Sequence, residues 1–368
     1  MPQLIPQKFE RTLPAILFIA ALGAAFWRAP TPDSPTFAPT MAAAKPLPAL
    51  QTSAFIPEST EASALSLTQL TDGRLAAAWS VDGDTPAIRF SLQGREGWQP
   101  AQTIVTREST AGSSFAFVRS LGAPLLHAEG GWLHLWFSAH SLDTPRMAEL
   151  HHSVSTDAGR QWQPPQRLRT SPWTGTVAHG QLQVLADGGL GMTISQTLSG
   201  AQAAWLRLSP TGRILDKVRL STDTHGDHPA SFVSDPVHAG ALLRQPAPQP
   251  PVLAKTENAG QAWQSTDGAD IKLASTPFAI TRLPGGRLLL AGNPPEGSGT
   301  LALWTSTDEG LHWQKRKTLE SAADAAANFS PPALLTGRDG RIHLAYPYRQ
   351  RGIRHLSFSE AWLDGEQP

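Results

Sequence analysis

Ser155-Thr-Asp157-Ala-Gly159-Arg-Gln-Trp162 returns further along the chain as Ser306-Thr-Asp308-Glu-Gly310-Leu-His-Trp313. Between them stands Thr256-Glu-Asn258-Ala-Gly260-Gln-Ala-Trp263, with Asn in place of Asp. The tryptophans are 101 and 50 residues apart, so one period of 50 covers both gaps. Each octet holds the parts of a tight β-turn. The Asp or Asn side chain accepts from turn N–H groups. The Gly takes a backbone conformation that other residues resist. The Trp offers a large flat face for packing. Worn copies end at Trp98 and Trp362.

Upstream of each octet lies an apolar run, a Gly turn and a second apolar run. The clearest are Ala64–Leu70 with Arg74–Trp79 around Asp72-Gly73, Pro124–His127 with Trp132–Phe137 around Gly130-Gly131, and Gln181–Leu185 with Leu190–Ile194 around Asp187-Gly188. Further copies turn at Asp235-Pro236, Gly285-Gly286 and Asp339-Gly340. Asp-Gly and Gly-Gly between β-rich runs are hairpin signals. Six hairpins in steps of roughly 50 residues match four-stranded propeller blades. The spacing predicts an all-β, six-bladed propeller over residues 51–368. Ser53–Ile56 is placed to complete the last blade as an outer strand.

Composition agrees. Gly, Pro and Trp are frequent, at 31, 32 and 12 residues, which suits short strands and tight turns. Lys+Arg and Asp+Glu balance at 30 each, so no basic footprint for nucleic acid exists. There is no Cys, which removes disulfides, thiolate metal sites and a Cys nucleophile. The histidines lack metal-motif spacing, and no metal or other cofactor is expected. Nothing indicates an oligomer, so a monomer is expected.

Leu13–Trp27 is an uncharged apolar run preceded by Lys8 and Arg11. It is shorter than the roughly 17–25 residues of a membrane span and has the length of a signal-peptide core. Residues 1–28 are therefore expected to be a signal peptide or an anchor in the inner membrane, forming an N-terminal hydrophobic helix. Residues 29–50, rich in Pro and Ala, are expected to be a disordered linker. The propeller would then work on the periplasmic side of the inner membrane, or be secreted or periplasmic if the signal is cleaved.

The octet is similar to the Asp-box, or BNR repeat, of sialidases. The closing stretches Phe329-Ser-Pro-Pro-Ala-Leu-Leu335, Asp339-Gly-Arg-Ile-His-Leu-Ala-Tyr346 and Gly352-Ile-Arg-His-Leu356 resemble the end of the bacterial BNR-repeat sialidase-like family. The resemblance covers about residues 55–358. It implies an exo-acting glycoside hydrolase on sialic-acid-like or other envelope or host glycans. Asp-boxes are structural and occur in other propellers too. The alternatives are a catalytically degenerate propeller that binds glycan or an envelope partner, and a scaffold without a sugar pocket.

Repeat order puts the hairpin turns and Asp-boxes at one end of the propeller. In sialidases the site lies at the opposite end, on the axis. The candidates there for catalysis are Arg244, Arg351, Glu61, Asp84, Asp227 and Tyr348. His179, His228, Gln196 and Asn293 are the candidates for holding substrate. Arginines suit a substrate carboxylate through bidentate contact, and Arg244 falls where the resemblance puts one of them. An acid such as Glu61 or Asp84 would transfer protons. The family's nucleophile is a Tyr, commonly in Phe-Ser-Tyr-Pro at the start of the last inner strand. Here that stretch reads Phe329-Ser330-Pro331-Pro332. Only Tyr346 and Tyr348 exist, and both lie on the far strand of that hairpin.

Overall fold

The computed structural model describes residues 34–39, 47–58, 62–142, 147–171, 174–197, 201–221, 226–246, 248–266, 268–322, 328–348 and 352–365. The apolar run at 13–27, the expected N-terminal helix and most of the linker lie outside them. Among the described residues, no helix is long and apolar enough to cross a membrane.

Six antiparallel sheets follow one another along the chain. Blade 1 is built on Ala62–Gln69, Leu75–Val81 and Ala87–Gly94, with Gln102–Thr106 outermost. Blade 2 is Ser120–Glu129, Trp132–His140, Glu149–Ser155 and Gln166–Leu168. Blade 3 is Gly175–Val184, Leu190–Thr197, Ala201–Leu208 and Ile214–Arg219. Blade 4 is Asp227–Val233, Ala239–Arg244, Val252–Thr256 and Gln264–Thr266. Blade 5 is Ala279–Arg282, Leu288–Gly292, Thr300–Ser306 and Gln314–Ser321. Blade 6 has Ala333–Thr336, Ile342–Pro347 and Ile353–Phe358, and its outer strand is Gln51–Ile56 from the other end of the chain. The expected closing strand is therefore present, two residues longer than read.

Second strands explain the apolar runs. Leu75–Val81, Leu288–Gly292 and Ile342–Pro347 are buried at every position. Each is covered on both faces by neighbouring blades, so it carries a continuous run rather than an alternating one. The cores accordingly mix blades: one cluster joins Phe90 and Leu92 of blade 1 to Leu133 and Phe137 of blade 2.

The octets close the turn end. Ser155 Oγ donates to Asp157 Oδ1 at 2.8 Å and accepts from Gly159 N at 2.9 Å, while Gln161 N donates to Asp157 Oδ1 at 2.9 Å. Ser306 and Asp308 repeat the pattern at 2.8, 3.0 and 3.0 Å. Thr256 and Asn258 make the same three bonds at 2.9, 3.0 and 2.8 Å. Two successive residues are left-handed in each, Ala158-Gly159, Ala259-Gly260 and Glu309-Gly310.

The tryptophans bind blade to blade. Trp162 meets Phe90 of blade 1 edge-on at 5.7 Å, and Trp263 meets Trp205 of blade 3 at 5.5 Å. Trp98 of blade 1 donates from Nε1 to His355 Nδ1 of blade 6 at 3.2 Å, across the ring closure. The glycines admit these rings: a Cβ on Gly159 would lie 2.4 Å from Phe90, and one on Gly260 would lie 2.4 Å from Trp205.

Part of the stretch expected to be a tether is docked instead. Phe37 is buried, packs edge-on against Trp205, and pairs with Leu185. Phe37 N donates to Pro236 O at 2.7 Å and Ala38 N to Val184 O at 2.8 Å. One aromatic side chain, with the unpaired backbone of two hairpin turns beside it, is enough to hold a Pro-rich segment that composition alone reads as free.

Candidate functional site

The inner strands of all six blades line a cavity of about 750 Å³ on the axis. Its wall also takes in Asp82, Gly83 and Pro86 after the second strand of blade 1, and His140 and Leu142 at the end of and just after the second strand of blade 2. The cavity therefore reaches the end opposite the turns. Its charged and titratable lining is Asp82, Arg119, His127, His140, His179 and His228.

The inner strands of blades 1 to 4 each have a register break near this end. Blades 2, 3 and 4 there carry a left-handed residue, Ala123 (φ 46°), Gly180 (φ 69°) and His228 (φ 43°). A bulge re-aims the side chains beside it. In blades 3 and 4 the bulges bring His179 and His228 together, with ring centroids 4.3 Å apart.

Behind them stands an ion pair. Arg244 Nε donates to Asp227 Oδ1 at 2.7 Å and Nη2 to Oδ2 at 2.6 Å. Its Nη1 donates to Ser275 O at 3.1 Å. Asp227 pairs in register with Arg244 across the inner hairpin of blade 4, which sets the bidentate geometry. His228 Nδ1 lies 3.4 Å from Asp227 Oδ2, an electrostatic contact that is not aligned as a hydrogen bond. Burial works against the Asp227 carboxylate charge. The adjoining His228 and Arg244 outweigh it and hold the carboxyl well below its ordinary range. His228 N donates to Ser195 Oγ of blade 3 at 3.1 Å. Burial, together with His228, holds the His179 ring well below the usual histidine value, so it is neutral. Its Nε2 is sealed from solvent and unpartnered among the described residues.

Chemically, this is a carboxylate fixed in charge and position by an arginine, with a histidine beside it on the cavity wall. A histidine so placed can exchange a proton with a bound ligand. The left-handed backbone at His228 is a conformation that non-glycine residues adopt at a cost of roughly 1–2 kcal/mol.

The other candidates are distributed elsewhere. Arg244 and Asp227 stand behind the cavity wall, while His179 and His228 line it. Asp84 is exposed and outside the lining, whereas Asp82 of the same loop is part of it. Gln196 donates to Thr174 Oγ1 at 3.0 Å. Asn293 is buried, donates to Thr300 O at 2.7 Å and accepts from Thr276 at 2.8 Å, so it ties the loops of blade 5 together. Glu61 and Arg351 lie outside the described residues.

Neither tyrosine lines the cavity, but Pro331 does. Tyr348 is wedged between Phe55 and Phe329 at 5.6 and 5.8 Å, with the Arg354 guanidinium 5.4 Å from its ring. Tyr346 is buried, and its hydroxyl donates to Glu320 Oε1 at 2.6 Å, an oxygen also bound by Arg354. Burial and the Glu320 carboxylate push this phenol well up, so it stays protonated. Arg119 and His127 went unread in sequence. Arg119 stands one residue ahead of an inner strand, and the pattern places that strand's start too late.

Residues 73–344 match the BNR repeat-like domain, and the chain belongs to this family. No curated protein is similar enough in sequence to count as a relative. The fold is similar to a Hadza microbial sialidase at 13% identity, covering 84% of this chain and 68% of that one, with a TM-score of 0.69. A Dyadobacter fermentans protein of unknown function aligns at 12% identity over 86% and 99% of the two chains, with a TM-score of 0.65. An intramolecular trans-sialidase from Ruminococcus gnavus aligns at 12% identity over 86% and 98%, with a TM-score of 0.61. At these identities the likeness is one of fold: a sialidase-like BNR propeller.

Proposed function

We propose that this propeller receives the end of a glycan in its axial cavity and acts on it as an exo-glycoside hydrolase outside the cytoplasm. The observation that carries the reading is the Arg244-held Asp227 beside His228 on the cavity wall. In this scheme His228 is the proton-exchanging group, and the Asp227 carboxylate 3.4 Å away favours its protonated form. The family and the sialidase folds it resembles support a glycan ligand. The apolar run behind Lys8 and Arg11 supports export.

A second reading is a propeller that binds glycan without cleaving it. Pro331 on the cavity wall and the proton-locked Tyr346 favour it, since a sialidase-type tyrosine nucleophile is missing from the lining. Incubation with fluorogenic sialosides and a panel of other fluorogenic glycosides separates the two. Release of the fluorophore, lost in His228→Asn, supports hydrolysis. No release from any of them, together with binding on a glycan array, overturns it in favour of the second reading.

A further inference from the structure

The axial cavity has a floor. Gln181 of blade 3 donates from Nε2 to Leu334 O of blade 6. The inner strands touch in chain order and the last touches the first, so these two blades stand opposite each other and the side chain crosses the axis. In both blades the cavity lining ends one residue further, at Leu182 and Leu335, although the inner strands run on to Val184 and Thr336. The register break between His179 and Gln183 supplies the reach. It takes Gln181 out of the ladder, and such a bulge re-aims the residues within it. Beyond the break Gln183 is tied to blade 4, donating to Ser231 O at 3.3 Å.

Above this floor the lining divides by charge. Asp82, Arg119, His140 and His228 stand at the mouth ends of their strands or just outside them. Thr68, His127 and Ser231 lie at the other end, each among the last three pairs before a hairpin turn. Ser66 stands two residues above Thr68 and also lines the cavity. Among the described residues, this turnward lining contains no carboxylate, lysine or arginine. His127 is neutral there, because burial lowers it to about 4.

The polar groups that remain are neutral donors and acceptors. Ser66 Oγ accepts from Leu126 N at 2.9 Å, which leaves its own proton to donate. Gln181 has its Nε2 engaged at Leu334 O, which leaves Oε1 to accept. A ligand hydroxyl both donates and accepts, so it matches this lining. A carboxylate only accepts, and here it would be desolvated without a cation, at a far higher cost than a neutral group.

We propose that the floor selects an uncharged, hydroxyl-bearing sugar as the innermost residue of the glycan, and that Gln181 is the residue that sets this specificity. The inference rests on the glycan reading above and names its substrate class. With His228 at the mouth end, the bond to the next sugar lies toward the charged rim, and the far side of the innermost ring meets the floor. Charged substituents are admitted only on the part of the glycan that stays near Asp82, Arg119 and His140.

The test compares methyl hexosides with the matching methyl hexuronides in the glucose, galactose and mannose series, which differ in a carboxylate at C6, away from the glycosidic bond. Binding is read by calorimetry on the full chain at pH 7.5. In the series that binds, the neutral sugar should bind about tenfold tighter or more. Gln181→Leu, which keeps the bulk of the floor, should weaken that sugar about fivefold through the lost acceptor. Gln181→Glu should weaken it further, because it sets a carboxylate against Leu334 O. Unfolding temperatures check the fold of both variants, and the comparison of the two sugars on the unaltered protein needs neither. Equal or tighter binding of the uronide overturns the proposal. Unchanged hexoside affinity in folded Gln181→Leu overturns the role of Gln181. Glycan-array binding without binding of any neutral hexoside overturns the proposal alone. No binding on the array overturns the glycan reading beneath it.

Discussion

The turn end and the mouth of this propeller are built by opposite rules. At the turn end three octets repeat the same bonds to within about 0.2 Å, and Asn258 substitutes for Asp without loss. At the mouth three adjacent blades share one backbone device, a bulge with a left-handed residue, filled by Ala123, Gly180 and His228. The turn end repeats its sequence because Ser or Thr and Asp or Asn close the same turn each time, with the Trp beside it placed to pack. The mouth repeats only its backbone, so that each blade can present a different side chain.

Acid should produce the largest effect. His127, His152 and His343 are lowered by burial to about 4, and His355 to about 3. In the unfolded chain they titrate near 6.5. Between those values the unfolded state binds more protons, so stability is full above about pH 6.5 and falls as pH drops toward 4. At pH 5 each such group costs about 2 kcal/mol, and the set costs several. Two of them link strands within their blades, His152 to His134 in blade 2 at 3.1 Å and His343 to His355 in blade 6 at 3.2 Å. Urea unfolding at pH 7.5, 6 and 5 measures this; a flat profile would break the picture of a neutral histidine interior.

Gly260→Ala comes next. Its Cβ meets Trp205 at a residue with φ 88°, and a loss of about 3–5 kcal/mol is expected. Gly310→Ala shares the strained φ, but its nearest contact is 3.6 Å, so its cost should be only about 1–2 kcal/mol. Equal losses in denaturant melts would show that the ring contact adds nothing. Phe37→Ala should cost about 3 kcal/mol from lost burial. Proteolysis ahead of residue 47 should quicken in that variant, and an unchanged digest would argue against docking.

The smallest stability effects should come from one substitution at each end. His228→Asn keeps a side chain that tolerates the left-handed backbone, so stability should move by no more than about 0.5 kcal/mol. Under the hydrolase reading proposed above, fluorophore release should fall by about 100-fold or more. Asp157→Asn belongs beside it: stability should also change by no more than about 0.5 kcal/mol, since Asn258 already makes that octet. A large loss in Asp157→Asn would mean that the charge of Asp157, and not its geometry, holds the turn.

The fold was legible because a period of 50 residues survives where Asp or Asn closes its own turn and Trp and Gly face a neighbouring blade. The closing strand could be placed because a ring of blades needs an outer strand from before blade 1 to complete its last blade. The site was only partly legible. His179, Asp227 and His228 could be located from strand order, but the bulges that bring the two histidines together leave no common residue at the left-handed position. Arg119 was missed because its strand begins before the apolar pattern does. Asn293 has the polarity of a ligand contact but holds two loops of its own blade.

The docking of Phe37 fixes where the chain joins the propeller. It crosses the hairpin turns of blades 3 and 4, and at the other terminus Glu360 and Asp364 hold Arg287 beside the hairpin turn of blade 5. Both described ends are therefore fastened to one pole. A label placed beside Phe37 or Asp364 would therefore sit at the turn pole, opposite the cavity mouth.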